Sequence, residues 1–293
     1  MSNIIYKTLR YSGIAWLWRE TVQRRKVTFL LFHDMEAHDA ERNFSYLKRH
    51  YNIIGLNDYL DAVHNKTPMP SKSVVITFDD GHASNYALLP VIKKLQIPVT
   101  IFLCSSIVDT QRHFWFRHSM EIKPTLEDMK QLPNVQRLET LKQYGFSQEQ
   151  EYSERQALTR EQIEEMRPWV NFQSHTCFHS ILPQCDNETA KEEIAESKRQ
   201  LEDTFGLTIN AISYPNGDYS NRDIRLAKVA GYECGITVDA GYNDLTSDLF
   251  RLKRFSVNDA KTTAELMVKA SGCYALLKHR LHKPSYGFHP IPQ

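Results

Sequence analysis

The stretch "SVVITFDDGHASN" occupies residues 73–85. Val74, Val75, Ile76 and Phe78 form a short, β-branched apolar run with a turn signal behind it, which reads as a buried strand. Asp79, Asp80 and Gly81 then stand where that strand reaches the rim of a sheet. Neighbouring strand residues point to opposite sides, so the two carboxylates can take different tasks. A plain Asp-Gly hairpin turn is the competing reading, and the rest of the chain decides between them.

Six further runs look like strands: "VTFLLF" from Val27, "VTIFLC" from Val99, "VNFQSH" from Val170, "AISY" from Ala211, "CGITV" from Cys234 and "FRLKRFSV" from Phe250. Helical patterns lie between most of them, clearest in "SNYALLPVIKKLQ", "NETAKEEIAESKRQLEDTFG" and "NRDIRLAKVAGY". In the second of these, Ile194, Ala195, Leu201 and Phe205 lie near one face and Gly206 is a C-terminal stop. Strand alternating with helix implies a parallel sheet, and about seven such units imply an α/β barrel, closed or nearly so. Residues 109–159 are polar and less regular, and read as a partly helical insertion on one rim. The organisation expected is a helical extension over 1–26, a barrel over 27–272 and a basic tail over 273–293.

A chain of 293 residues with 41% apolar content suits one domain with a substantial core. The net charge of +1 provides no global field for nucleic acid. Five widely spaced cysteines, Cys104, Cys177, Cys185, Cys234 and Cys273, form no disulfide framework and fit a reducing compartment. The apolar run Ile14–Trp18 is too short for a membrane span or a signal-peptide core. The expected location is therefore cytoplasmic, including the inner face of the membrane. Trp16, Trp18 and the Arg24-Arg25-Lys26 cluster suit peripheral membrane association; a helix packed on the outside of the main domain is the plainer expectation.

Two more stretches carry chemistry. In "NFQSHTCFHS", His175 follows a strand and His179 comes four residues later, on the same face if the chain turns helical there. Two His with a carboxylate from elsewhere make a divalent-metal set; an unrelated pair of surface or core histidines is the bland alternative. Cys177, between them, should face away and pack. In "AISYPNGDYS", a strand ends at Tyr214 and Pro215-Asn216-Gly217 makes a tight turn whose backbone N–H groups can stabilise an oxyanion. It can equally be a simple strand-ending turn. All three stretches follow strands, on the rim where α/β barrels place active sites.

"TFDDG", "SHTCFH" and "YPNGDYS", in that order, resemble the metal-dependent polysaccharide deacetylases, the NodB-homology family or carbohydrate esterase family four. The resemblance runs from about Val27 to Gly272 and includes "LLFHDM", "GYECGITVDAGYN" and "FRLKRFSV". It implies a distorted (β/α) barrel of seven strands. It also implies Asp79 as general base, with Asp80, His175 and His179 as ligands of a divalent metal: Zn²⁺ by default, or Co²⁺, Ni²⁺ or Fe²⁺. The Asn216 turn would supply an oxyanion-hole N–H.

Two departures stand out. Ser213-Tyr214-Pro215-Asn216 replaces the family's Arg-x-Pro-Tyr turn, so the arginine that orients the base is expected to be missing. The late histidine that acts as acid in many relatives is missing too, since His279, His282 and His289 lie in the tail without its pattern. The branch similar to poly-N-acetylglucosamine deacetylases uses a histidine near the first strand, which here is His33; a residue merely capping the strand is the alternative. The implied reaction is hydrolytic deacetylation of N-acetylhexosamine units in a cell-surface polysaccharide, lipopolysaccharide or glycolipid precursor. Its rivals are a carbohydrate O-acetyl esterase and a silent glycan-binding barrel. Phe114, Trp115 and Phe116 are placed to stack on a sugar or to pack the insertion, and His82 to line the site.

Overall fold

The run Val27–Phe32 is buried at all six positions, and so is Ser73–Phe78. Strands buried on both faces need cover on both, the condition of a parallel sheet flanked by helices. These two are β1 and β3 of the eight strands among the described residues, the others being β2 Asn52–Ile53, β4 Val99–Leu103, β5 Val170–Ser174, β6 Ala211–Ser213, β7 Cys234–Ile236 and β8 Phe255–Ser256. The computed structural model describes residues 3–118, 124–257, 260 and 262–275. Every strand pairing is parallel, in the order β7-β6-β5-β4-β3-β1-β8, with β2 beside the start of β3.

The sheet curls until one segment touches both of its edges. Leu252 donates to Gly235 O at 3.0 Å and accepts from Thr237 N–H at 2.8 Å, which joins it to β7. A few residues on, Ser256 pairs with Leu31 of β1, and Val257 N–H donates to Leu31 O at 3.0 Å. The architecture is the expected distorted (β/α) barrel.

Local differences from the sequence reading have local causes. Two-residue β2 is too short to carry a readable period. "FRLKRFSV" is not one strand: Leu249–Arg251 is a 3₁₀ turn whose start is capped by the Asp248 carboxylate, and only Phe255–Ser256 joins the ladder. The helix expected from Ser84 begins as a 3₁₀ turn, Ala83–Leu88, and becomes α-helical only over Leu89–Leu95, with Pro90 in its first turn, where a missing N–H costs nothing. The long helix Asn187–Phe205 follows its pattern, capped by Asp186 and ended by Gly206 at φ 60°.

The alternation of strand side chains divides the core in two. Leu30, Phe32, Val74, Ile76 and Phe78 face outward and pack under the helices. Val27, Phe29, Val75, Phe102, Ala211, Cys234, Ile236 and Leu252 cluster with Leu56, Tyr59 and Leu60 of the helix Leu56–Asn65, which plugs the lower barrel. The inward parity of Val75 continues through Thr77 to Asp79. The carboxylate therefore enters the barrel's upper end by the same alternation that buries the valine below it.

The insertion carries helices Trp115–His118, Leu126–Gln131 and Asn134–Gln143 over a small core of Trp115, Met129, Leu141, Phe146 and Ile181. All five cysteines are free and buried. Among the described residues no helix is long and apolar enough to cross a membrane. His279, His282 and His289 lie outside the described residues.

Candidate active site

Asp80 and Gly81 leave β3 with φ of 75° and 71°. Two left-handed residues in succession swing the second carboxylate off the ladder, and only the second can be glycine-dependent here. A Cβ on Gly81 would lie 2.6 Å from Leu103 Cδ2, inside any tolerable contact. The Asp-Asp-Gly sequence is thus a rim device and not a hairpin turn, since β3 pairs with parallel neighbours on both sides.

His175 continues β5, its N–H donating to Leu103 O at 2.8 Å. Its Nδ1 sits 2.8 Å from the Ser213 carbonyl, which fixes the ring and leaves Nε2 facing Asp80 Oδ1 at 3.4 Å. The segment to His179 does not turn helical, so its helical spacing is not what brings the two rings together: Thr176 and His179 have φ of 66° and 59°, which no α-helix contains. Its shape is imposed from outside. Glu193, on the long helix, accepts from Cys177 N–H at 2.9 Å, Phe178 N–H at 3.0 Å and the Ser180 hydroxyl at 2.8 Å. The Trp115 indole N–H donates to His179 O at 2.9 Å. His179 Nε2 comes to 3.3 Å from the same Asp80 oxygen. Cys177 is buried and packs against the helix, as read from the sequence.

Ligand atoms of Asp80, His175 and His179 all lie within 4.8 Å of one another, and all three residues are buried. Asp80 Oδ1 and His179 Nδ1 are buried without a hydrogen-bond partner among the described residues. An orphaned carboxylate oxygen facing two imidazole nitrogens fits a divalent cation. The other oxygen, Oδ2, is held 3.0 Å from His82 Nε2, whose Nδ1 is 3.2 Å from Arg117. Burial raises the Asp80 carboxyl, but the imidazoles of His175, His82 and His179 around it outweigh this and hold the group well below the usual range. Burial drives His179 down to about 3, so it is neutral and ready to ligate. His175 is drawn upward, against burial, by the charges of Asp79 and Asp80.

Asp79 belongs to a separate network. Arg254 donates to both its oxygens, Nη1 to Oδ1 and Nη2 to Oδ2, each at 2.7 Å, and the Ser213 hydroxyl adds a contact at 3.1 Å. Arg254 is itself buried, with Nε donating to Thr237 O at 2.8 Å. Burial raises the Asp79 carboxyl, and the Arg254 charge more than cancels this, keeping it ionised. The arginine expected to be missing is therefore present, supplied by "FRLKRFSV" and not by the turn after β6. The segment carries Arg251, Lys253 and Arg254, and only barrel closure identifies Arg254 as the partner.

A cavity of about 310 Å³ joins these groups: His33, Asp79, Asp80, His175, His179 and Asn216 all line it. Asn216 takes φ 58°, and a Cβ on the following Gly217 would meet Val238 Cγ2 at 2.1 Å. Trp115, Phe116 and Lys130 bring the insertion to the same cavity. Phe114 does not reach it, being buried against the His82 ring at 5.0 Å between centroids.

Residues 66–235 match the family model described as polysaccharide deacetylase. The Bacillus subtilis protein YxkH is 24% identical over 253 residues, covering 82% of this chain and 75% of its own length. The deacetylase PplD of Streptococcus pyogenes, solved with acetate, superposes with a TM-score of 0.62 at 19% identity, over 84% of this chain and 99% of that one. A de-N-acetylase of Aggregatibacter actinomycetemcomitans gives 0.57 at 18% identity, over 81% and 96%.

Proposed function

The chain belongs to the polysaccharide deacetylase family, hydrolases of amide bonds, and from this we propose that it removes N-acetyl groups from hexosamine units of a cell-surface polysaccharide, lipopolysaccharide or glycolipid precursor. One observation carries the reading: an ionised, clamped Asp79 and the Asp80–His175–His179 set face one cavity with His33 and the Asn216 turn. The de-N-acetylase among the structural relatives supports N- over O-deacetylation.

An amide carbonyl is a poor electrophile and an amine leaves badly as an anion, so both ends of the bond need help. Asp80, His175 and His179 would hold a divalent cation, Zn²⁺ by default for this ligand set. When bound, the cation supplies Lewis acidity to the acetyl carbonyl and lowers the pKa of a nearby water. Asp79 accepts the water proton as oxygen attacks the acetyl carbon. Arg254 occupies one lone pair on each Asp79 oxygen, which sets the direction of those that remain. The Asn216 N–H donates to the carbonyl oxygen as negative charge gathers there. His33 gives a proton to the sugar nitrogen as the C–N bond breaks, and acetate and a free amine leave. Trp115 and Phe116 wall the cavity and offer apolar surface to a sugar ring.

The test is acetate release from N-acetylglucosamine oligomers compared with acetylated xylan, with and without a chelator. Faster, chelator-sensitive release from the N-acetylated oligomers is expected. Release from xylan alone would make the chain an O-acetyl esterase. Silence on both substrates in protein that retains its metal would leave a glycan-binding barrel.

His175→Ala and His179→Ala are each expected to strip the metal, measured by elemental analysis of purified protein; stoichiometric metal in both would remove the ligand assignment. For His33→Ala, deacetylation of N-acetylated sugars should fall steeply, while an activated aryl acetate, whose leaving group departs unaided, keeps most of its rate. Equal loss on both substrates with metal intact would place His33 in attack or folding and not in departure.

A further inference from the structure

The helices Asn3–Tyr11 and Ile14–Thr21 bury one face and leave the other bare. Tyr6 and Ala15 pack with Val268 and Cys273, and the Trp18 indole donates to the Tyr242 hydroxyl at 2.9 Å. Besides the polar Lys7, Thr8, Ser12 and Thr21, five large apolar side chains remain outside. Tyr11, Ile14, Trp16, Leu17 and Val22 are exposed by 76, 43, 52, 55 and 45%. These five stand within twelve residues, yet they are half of the ten large apolar side chains that the described residues expose. A concentration of this kind marks a surface that something covers.

Charge says what the partner is. Residues 1–26 carry six Lys and Arg (Lys7, Arg10, Arg19, Arg24, Arg25, Lys26) against Glu20 alone, on a chain whose total is only +1. Arg19 is spent internally on Glu20, but Arg24 and Arg25, beyond the buried Gln23, are exposed. With Lys26, which is paired to Asp244 at 2.6 Å, they line a cleft of about 400 Å³ together with Met69, Pro70, Ser71 and Asp244 itself, so Arg24 and Arg25 are the cations left for a ligand there. Exposed Trp and Tyr flanked by cations match the bilayer interface, where amphipathic rings sit at headgroup level and cations meet anionic lipid. The eight-residue helix Ile14–Thr21 is only about 12 Å long, against roughly 30 Å of hydrocarbon, so it lies on a membrane and does not cross it. A second copy of the chain is a poor occupant, because it would bring like charges together.

We propose that the face formed by Tyr11, Ile14, Trp16, Leu17 and Val22 docks on an anionic phospholipid surface, with Arg24 and Arg25 meeting the lipid phosphates. The full chain is sedimented with phosphatidylcholine vesicles, with and without phosphatidylglycerol, at low salt and at about 1 M salt, where the Debye length is about 3 Å. It should pellet only with the anionic vesicles at low salt, with a blue shift of tryptophan emission. Arg24→Gln with Arg25→Gln should weaken binding roughly 25-fold, from about fivefold per cation. Trp16→Ser with Leu17→Ser should weaken it about tenfold or more. Both double variants should still release acetate from soluble N-acetylglucosamine oligomers, which separates failure here from failure of the deacetylase reading. Absence of pelleting by the native chain, or equal pelleting by the variants, overturns the proposal. So does a dimer, seen by light scattering, that Trp16→Ser with Leu17→Ser dissolves while vesicles remain unbound.

Discussion

Asp79→Asn is expected to lower turnover on N-acetylated oligomers by roughly 10²–10⁴-fold, the usual worth of a positioned general base. Asparagine keeps the shape of the side chain and one acceptor for Arg254, but it takes no proton from water. Metal content should be unchanged, because the ligand atoms belong to Asp80, His175 and His179. Elemental analysis and a thermal melt run beside the kinetics separate the loss of a base from the loss of a site. If the metal leaves with the activity, Asp79 and Asp80 must exchange roles.

Arg254→Met should be the most destabilising single change near the site. It leaves the Asp79 carboxylate buried without its cation, and breaking a buried pair from one side costs about 3–5 kcal/mol. The effect has a sign in pH. In the native chain Asp79 titrates below its ordinary 3.8, so its contribution is present above that value and is lost as pH falls through the lower folded value. Without Arg254, the largest influence opposing burial is gone, only the weaker effects of His175 and His33 remain, and the folded value is expected to rise above the unfolded one. The variant then retains stability at acid pH and loses it as pH climbs through the raised value, and the acid limb of the rate profile moves up with it. Urea denaturation and kcat/KM across acid to neutral pH read both effects. Arg254→Lys should recover part of each, because one ammonium restores charge without the two-pronged geometry. Profiles of the methionine variant that superimpose on those of the native chain would dissociate Arg254 from the base.

Asp80 and His175 were legible as rim residues because each follows a strand that buries itself by local pattern. A β-branched run of six sets the parity and delivers its last residues to the rim. His33 and Asn216 reach the same cavity on the same logic. The conformation between His175 and His179 was not readable. Four-residue spacing suggested a helix, but Glu193 and Trp115, remote in sequence, supply the hydrogen bonds that hold two left-handed residues there. The insertion's part in the site was likewise hidden, since Trp115, Phe116 and Lys130 carry no motif and reach the cavity only by packing.

The sequence by itself determined the longer strands, their parallel sense and the residues at their upper ends, since these follow from side-chain alternation and apolar patterning within a few residues. Only the tertiary structure decided which cation faces the base. Asp79 and Arg254 lie 175 positions apart and meet because the segment after β7 closes the ring against β1. The distance between two such groups is set by the curl of the whole sheet, a property that no local stretch of chain contains.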